Sequence, residues 1–68
     1  MDKRILENVY QIGVNAFEIG LPRIAVKDQK VMEIITDKNR KIESSKIFAK
    51  WIRGWDDANL KNQIMKGW

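Results

Sequence analysis

Two tryptophans one helical turn apart, with a glycine directly before the second, constrain the fold of this chain more than any other feature. Trp51 and Trp55 are spaced so that both indole rings project from the same side of a helix. Gly54 lies between them, where a helix interior favours alanine by about 1 kcal/mol. A glycine at such a position indicates that another backbone passes close by, where only a hydrogen atom fits. The pattern Trp51-x-x-Gly54-Trp55-x-x-Ala58 therefore predicts one helix packed tightly against another.

Composition excludes several classes of function. The chain has 68 residues, enough for one domain, and it contains no cysteine and no histidine. Neither a Cys–His nor a Ser–His nucleophilic pair can be built, and a zinc site with the usual nitrogen and sulfur ligands is also excluded. Adjacent carboxylates at Asp56 and Asp57 would point about 100° apart on a helix and would not converge. We therefore expect a protein that is not an enzyme and holds neither a metal nor a cofactor.

Charge and hydropathy suggest where the protein acts. No apolar run approaches the roughly 20 residues of a membrane-spanning helix, and the N-terminus lacks the apolar core of a signal peptide. The absence of cysteine fits the reducing cytoplasm, so we expect a cytoplasmic protein with no membrane partner. The formal net charge of +4 is modestly basic and compatible with a nucleic-acid partner.

The first long helix is predicted over residues 2–20. It carries an apolar stripe at spacings of three and four residues, formed by Ile5, Val9, Ile12, Ala16 and Ile19. Asp2 is expected to cap its start, while Gly20 and the following Pro22 are expected to end it.

The second long helix is predicted over residues 45–62, with Ser44 or Ser45 as its N-cap and a frayed tail after it. Its apolar arc consists of Ile47, Phe48, Trp51, Ile52, Trp55 and Ala58. The opposite side carries Lys46, Lys50, Arg53 and Asp57. Asp57 or its neighbour Asp56 is expected to pair with Arg53 or Lys61 across one turn.

The connector between the long helices allows two interpretations. One is a short helix over residues 29–36 with Asp28 as its N-cap; the other is a β-hairpin that pairs residues 23–26 with residues 31–35. β-Branched residues favour the hairpin. An isolated hairpin is marginally stable, however, and the segment lacks an Asn-Gly or Asp-Gly turn. We therefore prefer the helix.

These elements predict a single all-α domain over residues 1–68. It is a small open array of two main antiparallel helices plus a short intervening helix, in which Gly13 and Gly54 allow close approach. The predicted structural core comprises Gly13, Ala16, Phe17, Gly20, Phe48, Trp51, Gly54, Trp55 and Ala58. Because the tryptophans lie at helical spacing beside Phe48 and Ile52, we assign them to this core rather than to base stacking.

Two spaced motifs carry a resemblance to a known family. Gly13-x-x-Ala16-x-x-x-Gly20 followed by Trp51-x-x-Gly54-Trp55-x-x-Ala58 resembles the ribosome modulation factor family, across about half of the chain. Those small bacterial proteins have two main helices, bind the small ribosomal subunit, and promote ribosome dimerisation and hibernation. The resemblance implies an RNA-binding, ribosome-associated protein that regulates translation. This chain departs from the family in its longer connector and in its weakly basic N-terminal segment.

Basic residues concentrate in the second half of the chain. The candidate RNA-binding residues are Arg23, Lys38, Arg40, Lys41, Lys46, Lys50 and Arg53. Our leading hypothesis is a non-enzymatic module that binds the ribosome or another structured RNA and occludes a functional surface. The alternative is a small adaptor or inhibitor of the kind encoded by phages and mobile elements, which binds a host protein. A homodimer is a further partner that the sequence leaves open.

Overall fold

Three α-helices account for most of the chain. The computed structural model describes residues 2–39 and 41–66, and within them α1 spans Asp2–Glu18, α2 spans Gln29–Ile35 and α3 spans Ser44–Lys66. A single 3₁₀ turn at Ala25–Lys27 precedes α2. No strand occurs among the described residues. The predicted all-helical fold, with two long packed helices and a short helix between them, is confirmed, and the hairpin alternative is wrong.

Gly20 ends α1 in a left-handed conformation with φ of 90°. The Leu21 amide donates to the Ala16 carbonyl at 2.9 Å, and the Gly20 amide donates to the Phe17 carbonyl at 3.1 Å. These two bonds form a Schellman motif, in which glycine avoids the steric penalty of a Cβ. The predicted stop is confirmed. The assignment of Gly20 to the core is wrong, because it is exposed and no atom lies within 4 Å of the place a Cβ would occupy.

The N-caps agree with the predictions in part. The Asp28 side chain accepts a hydrogen bond from the Lys30 amide at 3.0 Å, so Asp28 caps α2 as expected. In contrast, α3 already begins at Ser44, and the carbonyl of the preceding Glu43 accepts from the Ile47 amide at 3.2 Å. Glu43 therefore occupies the N-cap position, and the prediction of a serine cap is wrong.

Two further predictions concern the ends of the chain. The proposed capping side chain of Asp2 lies outside the described residues. The helix α3 continues to Lys66, four residues past the predicted end at 62. The rest of the predicted frayed tail, residues 67 and 68, also lies outside the described residues.

The long helices touch at two glycines. A Cβ built on Gly13 would collide with the carbonyl oxygen of Trp51, and one built on Gly54 would collide with the carbonyl oxygen of Tyr10. Both glycines are buried. The predicted close approach through Gly13 and Gly54 is therefore confirmed.

The long helices run in the same direction, so the predicted antiparallel arrangement is wrong. Glu18 at the end of α1 lines a groove with Lys61 and Asn62 near the end of α3. Just past α1, the Leu21 carbonyl accepts a hydrogen bond from the Trp55 indole at 2.9 Å. The connector, residues 19–43, contains its own helix and carries the chain back along the pair. As a result, α3 starts beside the N-terminal half of α1.

The core lies on the side of the crossing that the connector covers. Among the described residues its buried apolar side chains are Val9, Ala16, Ala25, Val31, Ile42, Ile47 and Trp51. Phe48 and Trp55, both predicted core residues, are partly buried and pack against this cluster. Phe17 and Ala58 are also partly buried. The sequence did not single out Ile42, because one apolar residue in a polar, basic loop is a weak signal.

Candidate nucleic-acid interface

The helix α3 separates apolar from basic side chains. Ile47 and Trp51 are fully buried on one side. Lys46, Lys50 and Arg53 follow one another at spacings of four and three residues and so share another side. Lys46 and Arg53 are exposed and Lys50 is half-buried. We call these three residues the cationic face of α3.

The loop that leads into α3 adds positive charge beside its N-terminal end. Lys38 and Lys41 are both exposed, and Lys41 precedes the first residue of α3 by three positions. Arg40, the other predicted loop cation, lies outside the described residues. The loop and the cationic face together therefore keep five of the seven predicted cations accessible.

Arg23 does not belong to this surface, because a carboxylate within the chain occupies it. Its Nε lies 2.7 Å from Asp56 Oδ1, and its Nη2 lies 2.9 Å from Asp56 Oδ2. This two-pronged hydrogen bond raises the pKa of Arg23 and lowers the pKa of the Asp56 carboxyl. Arg23 ties the connector to α3, so its predicted role as a phosphate contact is not supported by its geometry.

A second polar cluster crosses from α1 to α3. The Tyr10 hydroxyl donates to Asp57 Oδ2 at 2.6 Å, and this bond raises the pKa of the phenol. Arg53 Nε lies 3.8 Å from the same oxygen, which matches the predicted one-turn pair. Lys50 Nζ lies 5.8 Å from the centroid of the Tyr10 ring, at cation–π distance. The cluster holds two cations of the face in position while leaving Arg53 largely exposed.

Both described tryptophans direct their polar edges inward. The Trp51 indole N–H donates to Asp28 Oδ2 at 2.9 Å within the core. The Trp55 indole N–H donates to the Leu21 carbonyl, and the Trp55 ring meets Phe17 edge-on with centroids 5.2 Å apart. Their assignment to the packed interior rather than to base stacking therefore agrees with the structure.

An open groove of about 450 Å³ lies between α1 and α3, next to the cationic face. Its lining residues are Tyr10, Val14, Phe17, Glu18, Asp57, Ala58, Lys61 and Asn62. This site is not among those predicted from the sequence. The one sequence pattern related to the groove is that residues 10, 14, 17 and 18 of α1 share one flank of Gly13. This pattern indicates a groove only when the direction of α3 is known.

The described residues contain neither a cluster of metal ligands nor a membrane-spanning helix. Across residues 2–39 and 41–66, no three carboxylates come together in a way that could bind a metal ion. Within those same ranges, no helix combines the length and the apolar character needed to cross a membrane.

Comparisons with protein-family models, with curated proteins and with solved structures gave no match to this chain.

Proposed function

We propose that this protein is a non-enzymatic module that binds the ribosome or another structured RNA. The single observation that carries the proposal is the cationic face of α3, where Lys46, Lys50 and Arg53 point away from a core anchored by Trp51. Lys38 and Lys41 extend the positive charge past the start of α3. Such a row suits the phosphate backbone, which supplies most of the affinity in sequence-independent binding.

The mechanism we infer is occlusion. Cations hold the phosphates while the body of the helix pair covers a surface that another factor needs. The motif resemblance to the ribosome modulation factor family supports the same class of partner and a role in translation regulation in the cytoplasm. No reacting group is required, in keeping with a chain that lacks histidine and cysteine.

Co-sedimentation with purified ribosomes tests the proposal. The triple variant Lys46→Glu, Lys50→Glu and Arg53→Glu replaces three attractive contacts with three repulsive ones on one face. We expect the wild-type protein to pellet with ribosomes at low salt and the variant to stay in the supernatant. Circular dichroism of the variant establishes that its helices are intact.

A matched control reverses the same number of charges elsewhere. Arg4, Lys27 and Lys30 are exposed and lie outside the cationic face. The variant Arg4→Glu, Lys27→Glu and Lys30→Glu has the same net charge as the test variant, and we expect it to retain most of the binding. An equal loss of ribosome binding in both variants would mean that net charge, and not the cationic face, determines binding. Unchanged binding of the test variant would refute the proposed site.

One observation favours the alternative of a protein-binding adaptor. Leu60 and Ile64 lie one turn apart on α3, and 57% and 56% of their surfaces are exposed. An apolar pair on an outer helix surface is typical of a protein contact. Under this alternative, capture of a protein partner would survive nuclease treatment and would be lost in Leu60→Ser with Ile64→Ser, while ribosome binding would be absent.

A further inference from the structure

The groove between α1 and α3 has the size and mixed chemistry of a ligand site. Its volume of about 450 Å³ falls within the roughly 300–1,000 Å³ that is usual for small-molecule pockets. Val14, Phe17 and Ala58 supply the apolar part of its lining. Glu18 and Lys61, both exposed, supply one charge of each sign. A flat, polar-edged group would therefore match the groove better than a purely apolar one.

The polar groups of the groove divide into engaged and available ones. Tyr10 and Asp57 are bonded to each other at 2.6 Å. Glu18 and Lys61, in contrast, take part in none of the ion pairs formed among the described residues. Besides the side-chain amide of Asn62, the groove therefore offers a ligand one carboxylate acceptor and one ammonium donor.

The groove is continuous with the proposed RNA contact. Lys50 of the cationic face lies over the ring of Tyr10, a groove residue, and Arg53 lies 3.8 Å from Asp57, another groove residue. A strand whose phosphates contact Lys50 and Arg53 thus passes the mouth of the groove. The flat group nearest to it is a base, and unpaired RNA bases are commonly recognised on their Watson–Crick edges.

The Watson–Crick edge of guanine matches the charged side chains of Glu18 and Lys61. Among the four RNA bases it alone presents two adjacent donors, N1–H and the N2 amino group, beside the O6 acceptor. A carboxylate can accept from both donors at once, and an ammonium can donate to O6. We propose, resting on the proposed RNA-binding function, that the groove holds an unpaired guanine, with Glu18 accepting from N1 and N2 and Lys61 donating to O6.

Fluorescence anisotropy with short labelled RNAs tests this site. The probes are a uridine oligonucleotide, the same RNA with one central guanosine, and the same RNA with inosine there, which lacks the N2 amino group. We expect guanosine to tighten binding roughly 5- to 150-fold, the range for one two-pronged base contact. Inosine should give an intermediate affinity. In Glu18→Gln the side-chain amide places an N–H donor opposite a guanine donor. The tighter binding of guanosine RNA should therefore vanish, while the affinity for uridine RNA persists.

Glu7→Gln is the matched control, because Glu7 is an exposed acid on α1 that does not line this groove. It should keep the guanosine preference. Equal affinity for the three RNAs would overturn the guanine site, and it is the result expected if the groove binds a protein side chain instead. A guanosine preference that persists in Glu18→Gln would also overturn the site.

The cationic-face triple variant separates this inference from the proposed function. One possible result is that the wild type shows no guanosine preference and the variant loses affinity for both uridine and guanosine RNA. This result would support RNA binding by the cationic face and overturn the guanine site. If the wild-type protein binds none of the RNAs at low salt but still pellets with ribosomes, the guanine site alone is overturned; if it also fails to pellet with ribosomes, both proposals are overturned.

Discussion

At Gly54 a methyl group in place of a hydrogen atom would collide with the main chain of α1. The methyl carbon would overlap the Tyr10 carbonyl oxygen and lie 3.2 Å from the Val14 nitrogen. Both are backbone atoms, so neither can rotate away as a flexible side chain would. The two helices would have to move apart, and the packing of Trp51 and Trp55 would loosen with them.

We therefore predict that Gly54→Ala destabilises the fold. Alanine gains about 1 kcal/mol of helix propensity over glycine, but the overpacking at the crossing should outweigh it. The net loss in the free energy of unfolding should be about 1–3 kcal/mol. Urea denaturation followed by circular dichroism measures it.

Ser45→Ala is a suitable reference, because Ser45 is exposed on the first turn of the same helix. It should change the free energy of unfolding by less than about 0.5 kcal/mol. A Gly54→Ala protein as stable as the wild type would mean that the helices do not approach each other as closely as described.

Asp28 shows a limit of residue-scale prediction. Its capping role follows from local sequence, since a short polar acceptor before a helix is a known start signal. Its second bond, from the Trp51 indole at 2.9 Å, joins residues far apart in the chain. This bond satisfies the indole N–H inside the core, where an unpaired donor would cost about 1–3 kcal/mol. Nothing in the local pattern around Asp28 or Trp51 indicates that they meet.

At the scale of elements, the sequence identifies helices better than it identifies their arrangement. Apolar spacing placed α1 within two residues of its observed end and α3 within one residue of its start. The direction of α3 depends instead on the path of the connector. That path is fixed by the hydrogen bond from Trp55 to Leu21 and by the pair of Arg23 with Asp56, both of which join residues distant in the sequence. Periodicity carries no information about such contacts, so the antiparallel prediction failed where the helix predictions held.

The Arg23–Asp56 pair makes a prediction about pH. The hydrogen bonds from Arg23 lower the pKa of the Asp56 carboxyl below its unfolded value of about 3.9. A lowered folded-state pKa means that the pair stabilises the fold above the unfolded pKa. This contribution is lost as the pH falls through the folded-state pKa, because protonated Asp56 no longer carries the charge that Arg23 contacts. Both side chains are substantially exposed, so the effect should be small.

We expect Asp56→Asn to be less stable than the wild type at pH 7 and to differ from it less at about pH 2, because the charged pair is lost as the pH falls through the folded-state pKa of Asp56. Urea midpoints at the two pH values measure the difference. Glu33→Gln, an exposed substitution on α2, serves as the control and should give the same midpoint as the wild type at pH 7. A stability gap for Asp56→Asn that stays constant with pH would rule out the charged pair as its cause.

At the scale of the whole molecule, the fold divides the surface into two sides. The connector and α2 cover the side of the helix crossing that holds Val9 and Trp51, and so complete the core. The other side, with the cationic face and the groove, is left uncovered by the connector. The cations of α3 could be predicted from the helical wheel alone. The groove could not, because it is formed by two helices whose relative direction the sequence does not determine.

This division predicts which cations contribute to the salt dependence of the proposed RNA binding. Each phosphate contact to single-stranded RNA adds about −0.7 to the slope of log affinity against log salt. Lys46→Gln should therefore make the slope shallower by about 0.7. The double variant Arg23→Gln with Asp56→Asn should leave it unchanged, because that charge is already neutralised within the chain and the variant preserves the net charge. Anisotropy titrations across a salt series measure both slopes. A shallower slope in the Arg23→Gln, Asp56→Asn variant would mean that Arg23 leaves Asp56 to contact phosphate, and an unchanged slope in Lys46→Gln would remove Lys46 from the interface.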